Sequence, residues 1–242
     1  MLEGVQVSRK FGGLRALTDL DFTVEKGRIV GLIGPNGSGK TTLFNVITGF
    51  YPADSGRVIF KGKEITRSKP HEIARLGIAR TFQIVRPLLG LSVLDNVTAA
   101  VVYGRDNIKS MAKGRERADE LLKFLRLEKW RNAPAQRLLA ADRKRLEVAR
   151  ALAVRPEILL LDEAFSGLND KEIEDSIKLV FRIRDELGIT IFLIEHVMKA
   201  IMGMCEKLCV IHYGVKLAEG TPEEVSHNPA VIEAYLGKKR PC

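Results

Sequence analysis

The segment that most constrains the fold is residues 34–41, which read GPNGSGKT. It follows a short apolar run, residues 29–33, and precedes a stretch with apolar side chains at helical spacing. A buried strand, a glycine-rich turn and a helix in this order are typical of a phosphate-binding loop. The eight residues match the pattern G-x-x-x-x-G-K-[ST] completely. The sequence therefore predicts a nucleotide-binding domain of the α/β class.

The residue types in this loop suit an anionic ligand. Glycines let consecutive backbone N–H groups turn toward one anion, and the positive end of the following helix adds to the attraction. We predict that Lys40 reaches the β- and γ-phosphates and that the Thr41 hydroxyl binds Mg²⁺. The predicted nucleotide contacts are Gly34, Pro35, Asn36, Gly37, Ser38, Gly39, Lys40, Thr41 and Thr42.

A second polar group follows the apolar run in residues 158–163, ILLLDE. Asp162 and Glu163 stand at the carboxyl end of a predicted strand, where α/β sheets bind their ligands. Asp162 is predicted to hold Mg²⁺ through water and Glu163 to polarise the attacking water. His196 closes another predicted strand, from which an imidazole can contact a γ-phosphate. A histidine at a strand end also has a purely structural explanation.

Apolar periodicity predicts the rest of the architecture. Three segments alternate as half-exposed antiparallel strands do, residues 1–11, 17–27 and 56–65. Helical spacing dominates residues 92–127, with residues 109–117 predicted as a polar connection, and strands then alternate with helices. We predict a single domain over residues 1–242 with a mostly parallel core sheet, an antiparallel β-subdomain and an inserted helical subdomain. The predicted core comprises residues 1–91 and 155–242, and the helical subdomain residues 92–154.

The composition leaves several partners open. A formal charge of +9 suits nucleic acid, an acidic membrane surface or a phosphate-rich ligand. The nearest basic cluster, Arg143, Lys144 and Arg145, is predicted to be a solvated helix face. No apolar run approaches the roughly 18 to 20 residues of a membrane span, and no signal segment opens the chain, so a membrane role is expected through a partner. The cysteines lack metal-site spacing and indicate a reduced, cytosolic setting: Cys205, Cys209 and Cys242.

Further stretches carry a family resemblance. They are FGGLRAL, GIARTFQ, RLEVARALAVRPEILLLDE, SGLND, LIEHVM and LAEGTPEEVSHNPAVIEAYLG. Over essentially its whole length the chain resembles ATP-binding-cassette (ABC) ATPases and is most similar to the ATPase subunits of branched-chain amino-acid importers. The resemblance implies a peripheral subunit at the cytoplasmic face of the membrane that binds ATP and Mg²⁺ and hydrolyses ATP. It also implies transmembrane permease subunits and, indirectly, an extracytoplasmic substrate-binding protein as partners.

The same resemblance assigns further residues. Phe11 would stack on adenine, with Ala16 nearby, although an aromatic in a strand is often an ordinary packing residue. Gln83 would contact Mg²⁺ and the attacking water. The segment that follows, residues 84–97, would face the membrane subunit.

The chain departs from the family at its L-S-x-G-Q signature, which acts on ATP held by the other subunit of a dimer. Leu139, Ala141 and Asp142 replace the serine, glycine and glutamine of this motif. Leucine donates no hydrogen bond, alanine adds a methyl group, and aspartate brings negative charge near an anion. A homodimer would carry two weakened sites, so we expect a heterodimer with a second ATPase subunit. Ala164 and Asp170 replace family prolines and are predicted to change loop stiffness.

Three other functions stay open on sequence alone. The first is the ATPase of a lipid or lipopolysaccharide exporter, and the second is a soluble ABC-type factor that acts on nucleic acid or ribosomes. Against the latter, the chain has neither a second cassette nor a long coiled-coil insertion, and no nucleic acid is expected as a partner. A regulatory nucleotide binder without hydrolysis is the third, and Glu163 and His196 argue against it.

Overall fold

The computed structural model describes residues 1–82 and 87–236. Within them the strands are β1 (Leu2–Phe11), β2 (Leu14–Val24), β3 (Ile29–Ile33), β4 (Ser55–Phe60), β5 (Lys63–Glu64), β6 (Ile78–Arg80), β7 (Ile158–Asp162), β8 (Thr190–Ile194), β9 (Lys207–His212) and β10 (Val215–Gly220). The helices are α1 (Lys40–Ile47), α2 (Pro70–Leu76), α3 (Val93–Val102), α4 (Met111–Phe124), α5 (Ala140–Ala153), α6 (Asp170–Leu187), α7 (Met198–Met204), α8 (Pro222–Ser226) and α9 (Pro229–Leu236), with 3-10 turns at Glu128–Trp130 and Ala135–Arg137.

The chain divides into two compact units. The first comprises Met1–Pro70 and Thr190–Cys242, and the second comprises His71–Ile189. The predicted helical subdomain, residues 92–154, falls inside the second unit, which also holds β6, β7 and α6. The second unit is therefore an α/β body and not a purely helical one.

The first unit contains two kinds of sheet. Strands β2, β1, β4 and β5 lie in that order and pair antiparallel, as their alternating burial predicts. Strands β10, β9, β3 and β8 form the other arrangement, in which β3 runs parallel to both β8 and β9. Every residue of β3 and β8 is buried, because parallel strands in α/β folds are covered on both faces. These pairings confirm the predicted α/β class.

In the second unit β6 pairs parallel to β7, and α3 packs on α4 and α5. The prediction that residues 109–117 form a polar connection is wrong, because Ser110 caps a helix that begins at Met111. The helical spacing of apolar residues is not evident here, because Gly114 occupies a buried position of the helix. A Cβ on Gly114 would lie 2.9 Å from Val102, so the close packing of α3 and α4 leaves room only for glycine.

Helix α6 is fixed at both ends. Asn169 and Glu172 form a reciprocal capping box at its start, and Gly188 ends it in the left-handed conformation. Cys205 and Cys209 are buried, and burial raises the pKa of each thiol to about 12. Among the helices of the described ranges, none has the length and apolarity to cross a membrane.

Candidate functional site

The phosphate loop lies in the first unit between β3 and α1, as the sequence predicts. Its glycines adopt backbone angles that other residues seldom reach, with φ of 153° at Gly34, 77° at Gly37 and 109° at Gly39. Gly39 is also the N-cap of α1, and the described structure gives this helix end no side-chain cap. The first N–H groups of α1 therefore point from a positive helix end, as anion binding requires.

The three glycines differ in their surroundings. A Cβ on Gly34 would lie 2.0 Å from the carbonyl oxygen of Ile211, and one on Gly39 would lie 2.5 Å from that of Ala16. At Gly37 no atom of the described residues lies within 4 Å of such a Cβ. The base of the loop is thus packed against backbone on two sides, whereas its crest at Gly37 is open to a ligand.

Lys40 lies folded within its own loop. Its Nζ donates hydrogen bonds to the carbonyl oxygens of Gly34 at 2.7 Å and Pro35 at 2.9 Å, and Ser38 Oγ lies 3.5 Å away. The ammonium is therefore held at the loop that it is predicted to serve. Its bonds to neutral carbonyls can be exchanged for stronger charge-assisted bonds to a phosphate.

The other loop residues divide by exposure. Asn36 and Thr41 are exposed, whereas Thr42 is half-buried and Ser38 is buried. The Ser38 carbonyl accepts a hydrogen bond from the Gly214 N–H at 2.9 Å, so the turn between β9 and β10 also fixes the loop. The Thr41 hydroxyl stands at the first turn of α1, where it was predicted to bind Mg²⁺.

Phe11, the predicted adenine contact, ends β1 with 38% of its surface exposed. Tyr51 meets its ring edge-on at 5.1 Å between centroids, and the Arg9 guanidinium lies 4.8 Å from the Phe11 centroid. Asp54 holds Arg9 by an ion pair of 2.9 Å. An aromatic side chain that stays partly exposed at the end of a strand suits stacking on a ligand better than core packing. Ala16 lies beside the loop through its contact with Gly39.

One neighbour of the loop was not predicted. The Tyr235 hydroxyl on α9 accepts a hydrogen bond from the backbone N–H of Gly34. Burial raises the pKa of Tyr235, and the bond from Gly34 opposes that rise. Tyr235 stands in the VIEAYLG ending, which carries family resemblance, but no local chemical pattern marks this position.

His196 is exposed and also lies in the first unit. The prediction that it closes a strand is wrong by two residues. Strand β8 ends at Ile194, because its pairing with β3 stops there, at Leu32. His196 and the buried Glu195 instead form the link to α7, a position that leaves the imidazole accessible to solvent.

In the second unit Asp162 is the last residue of β7 and is 2% exposed. Arg80, at the end of the parallel strand β6, donates from Nη2 to an Asp162 carboxylate oxygen at 2.6 Å. The Asp162 N–H donates to Thr81 Oγ1 at 3.2 Å. Arg80 lies within GIARTFQ, and the sequence alone predicts no role for it. An arginine at the end of a strand was the available signal, and only the pairing of β6 with β7 gives it meaning.

Glu163 follows β7 in the left-handed region, with φ of 50°. Its carbonyl oxygen accepts the Ser166 N–H at 3.3 Å, which closes a tight turn, and Gly167 follows with φ of 72°. A residue other than glycine in this region marks a backbone held by its surroundings. Gln83 lies outside the described residues, as do residues 84–86.

Near this turn, α5 carries a buried carboxylate. Glu147 accepts a hydrogen bond from the Phe82 N–H and pairs with Arg150 at 3.0 Å. Burial raises the pKa of Glu147, and the bonds to Arg150 and Phe82 oppose that rise. Helix α5 is therefore tied to the residue that precedes Gln83.

The altered signature residues lie at the start of α5. Leu139 is the N-cap and is 73% exposed, and the described structure gives it no side-chain cap bond. Asp142 accepts a hydrogen bond from Trp130 Nε1 at 2.8 Å and lies 3.8 Å from Arg145 Nη1. The Asp142 charge is thus balanced within the chain, and this contact was not predicted.

The prediction of a solvated face for the basic triplet is wrong. Arg143 donates to the Gln136 carbonyl at 2.8 Å, Arg145 faces Asp142, and Lys144 bonds to the turn after β7. All three side chains are half-buried, because α5 packs into the second unit along this edge.

Comparison with known proteins agrees with this geometry. The family model described as ABC transporter matches residues 17–166, and the model described as branched-chain amino acid ATP-binding cassette transporter matches residues 215–240. The chain is 38% identical to the high-affinity branched-chain amino acid transport ATP-binding protein BraF of Pseudomonas aeruginosa, and the match covers 98% of both chains.

Solved structures show the same fold. An ATP-binding cassette of an ABC transporter in its ADP conformation is 33% identical, with a TM-score of 0.89 over 98% of this chain and 99% of that one. A dimeric ATP-binding cassette in a post-hydrolysis state, bound to ADP and Pi, is 26% identical, with a TM-score of 0.82 over 92% and 99%. The resemblance predicted from sequence is confirmed: this chain belongs to the ABC transporter family and carries the C-terminal segment of its branched-chain amino acid cassettes.

Proposed function

We propose that this chain binds and hydrolyses ATP as the peripheral subunit of an importer for branched-chain or related amino acids, at the cytoplasmic face of the membrane. The complete phosphate loop, with Lys40 held inside it, is the observation that carries the proposal. The match of residues 215–240 and the likeness to BraF support this substrate class. Neither exporters nor soluble nucleic-acid factors are favoured by these matches.

In the phosphate loop, binding is an exchange of partners. Lys40 leaves the carbonyls of Gly34 and Pro35 and bonds to the β- and γ-phosphates. The uncapped N–H groups at the start of α1 bind the phosphate oxygens. Phe11 stacks on the adenine, with Ala16 beside the loop.

The described residues supply oxygen atoms of the kind that Mg²⁺ prefers, namely the Thr41 hydroxyl and the Asp162 carboxylate. When bound, Mg²⁺ neutralises charge that develops on the transferred phosphoryl group. Arg80 already balances part of the Asp162 charge, which suits a carboxylate that acts through water and does not bind the ion directly.

Hydrolysis requires a base and groups that orient the γ-phosphate. We assign the base to Glu163, which accepts a proton from the attacking water. His196 contacts the γ-phosphate, and Gln83 contacts the water and the ion. The half-buried position of Glu163 in its left-handed turn and the exposed position of His196 are compatible with these roles.

The proposed functional unit is a heterodimer with a second ATPase subunit on a pair of permease subunits, and an extracytoplasmic binding protein delivers the substrate. The basis is the altered start of α5, where Leu139, Ala141 and Asp142 lack the groups that would touch nucleotide in trans. The dimeric cassette similar to this chain gives a precedent for pairing. A homodimer is the alternative.

Amino-acid uptake by cells that carry variants of this chain tests the function. Cells that lack this chain are supplied with the wild-type chain, Lys40→Ala, Glu163→Gln or the control Lys113→Met, an exposed lysine on α4. Uptake of labelled leucine, isoleucine and valine should be restored by the wild-type chain and the control only. Uptake that survives Lys40→Ala or Glu163→Gln would refute ATP hydrolysis by this chain as the driving step.

A separate assay tests the heterodimer. ATP turnover of the purified chain is measured alone and with candidate ATPase subunits from the same cells. We expect slow turnover alone and a large rise with one partner. Rapid, cooperative turnover by the chain alone would contradict the requirement for a different partner.

A further inference from the structure

Helix α5 contacts the turn that carries Glu163. Lys144, in the first turns of α5, donates from Nζ to the carbonyl oxygen of Glu163 at 3.3 Å and to Ser166 Oγ at 3.0 Å. It also donates to the carbonyl oxygen of Ser166. One ammonium therefore contacts three oxygens at the two ends of a single turn, which matches the three donors of a lysine side chain.

That turn needs an external constraint. Glu163 occupies the left-handed region, which residues other than glycine seldom adopt. Ala164 follows it where the family usually has a proline, so no ring fixes the φ angle of that residue. The internal hydrogen bond of the turn, from the Ser166 N–H to the Glu163 carbonyl, is 3.3 Å long. Lys144 adds bonds from an ionised donor at the same two residues, and its bonds to Ser166 are shorter than the internal bond of the turn.

We propose that Lys144 is a positioning residue for Glu163: by holding the carbonyl groups of Glu163 and Ser166, it fixes the left-handed backbone from which the Glu163 carboxylate projects. In an ABC dimer the start of this helix acts on the other subunit's nucleotide. Here the same helix also acts within its own chain, on its own carboxylate. The proposal rests on the proposed role of Glu163 as the base.

This role predicts a particular kinetic pattern. Removing the ammonium should let the Glu163 turn move without changing the phosphate loop. Loss of charge-assisted bonds of this kind typically changes an equilibrium by about tenfold to a hundredfold. Lys144→Met should therefore lower kcat by about that factor with little change in KM for ATP, and Lys144→Arg should restore much of the loss.

The experiment uses the full-length chain in five forms: wild type, Lys144→Met, Lys144→Arg, Glu163→Gln and the control Lys113→Met. ATP turnover gives kcat and KM. Hydrogen–deuterium exchange of peptides that cover residues 163–169 reports the turn directly, so it decides the question even where turnover by the chain alone is slow. We expect faster exchange in Lys144→Met than in the wild type, Lys144→Arg or Lys113→Met.

The outcomes separate the two proposals. If Glu163→Gln hydrolyses ATP at the wild-type rate, the proposed function fails. If Glu163→Gln is impaired but Lys144→Met matches Lys113→Met in both turnover and exchange, only the positioning role of Lys144 is overturned. If Lys144→Met does not fold, Ser166→Ala replaces it. That change removes one of the three acceptors and should give a smaller rise in exchange, and unchanged exchange would overturn the proposal.

Discussion

The phosphate loop and the Glu163 turn both hold left-handed backbone in place, but different kinds of contact hold them. The loop is fixed by backbone contacts, since Gly34 and Gly39 lie against carbonyl oxygens and the Gly214 N–H bonds to Ser38. The turn is fixed by long side chains, namely Arg80 on Asp162 and Lys144 on Glu163. A loop packed against backbone has no room for a side chain at the glycines in contact. A turn held by side chains depends instead on charged residues that are distant in the sequence.

This difference explains what a sequence reveals. Glycines that must lie against backbone leave a fixed local pattern, so the loop can be recognised from eight consecutive residues. Arg80 stands 82 positions from Asp162, and Lys144 stands 19 from Glu163, so neither pairing leaves a local pattern. The following changes test the contrast, in order of decreasing expected effect.

Replacing Arg80 by Met should have the largest effect. It removes the Arg80 guanidinium from the buried Asp162 carboxylate, and breaking a buried pair in this way typically costs about 3 to 5 kcal/mol. Urea unfolding at neutral pH measures the loss. The control is Arg105→Met, which breaks an exposed pair with Glu157 and should cost about 1 kcal/mol or less.

A double change checks the cause. Asp162→Asn in the Arg80→Met chain removes the unbalanced charge and should recover part of the stability. Equal losses in the two arginine variants would show that the side-chain pair at Asp162 does not hold this region.

Replacing Gly34 by Ala tests the backbone-held region. The new Cβ would lie 2.0 Å from the Ile211 carbonyl oxygen, which belongs to a strand and cannot rotate away. We expect a loss of roughly 3 kcal/mol, the upper range for overpacking. Gly37→Ala is the matched control, because its Cβ meets no described atom and only the backbone angle is strained, at about 1 to 2 kcal/mol. Urea unfolding compares them, and a greater loss at Gly37 would contradict the packed base of the loop.

Replacing Asn169 by Ala removes the capping box of α6, which begins just after the Glu163 turn. A lost cap costs about 1 kcal/mol, measured as a lower midpoint of urea unfolding. Thr221→Ala removes the same kind of box from α8 in the first unit. Because α8 is shorter than α6, Thr221→Ala should lower the unfolding midpoint less than Asn169→Ala does. A larger loss from Thr221→Ala would show that the cap of α6 does not stabilise the segment after the Glu163 turn.

The smallest expected effect depends on pH. Burial raises the pKa of Glu147 in the folded chain above its unfolded value, so folding favours the protonated form. The stability that Glu147 contributes is complete below the unfolded pKa and falls as pH rises through the folded pKa. Glu147→Gln should therefore gain stability relative to the wild type between pH 4 and pH 7, read from urea unfolding midpoints. If the advantage of Glu147→Gln over the wild type in unfolding midpoint became smaller with rising pH, burial would not be the dominant cause of the raised Glu147 pKa.

Most of the fold is predictable from the sequence, because the helical and the strand periodicities of its apolar residues are both strong. The apolar run of β3 and the alternation of β1 lie where the pattern placed them, whereas β2 begins and ends three residues earlier than predicted, at Leu14–Val24. The start of α4 was missed, since Gly114 occupies a buried position that an apolar pattern does not register. The basic triplet was misread for a related reason: Lys144 and its neighbours gain partners only when α5 packs against the rest of the second unit.

The contacts of Asp142 bear on how this lineage can change. Trp130 and Arg145 both use the Asp142 carboxylate, so a return to glutamine would leave a guanidinium without its charge partner and an indole N–H with a weaker acceptor. Glutamine at position 142 would therefore destabilise the start of α5 unless Trp130 and Arg145 changed as well, whereas serine at the exposed N-cap position of Leu139 would not. A substitution that has gained partners within its own chain is harder to reverse than one that has none.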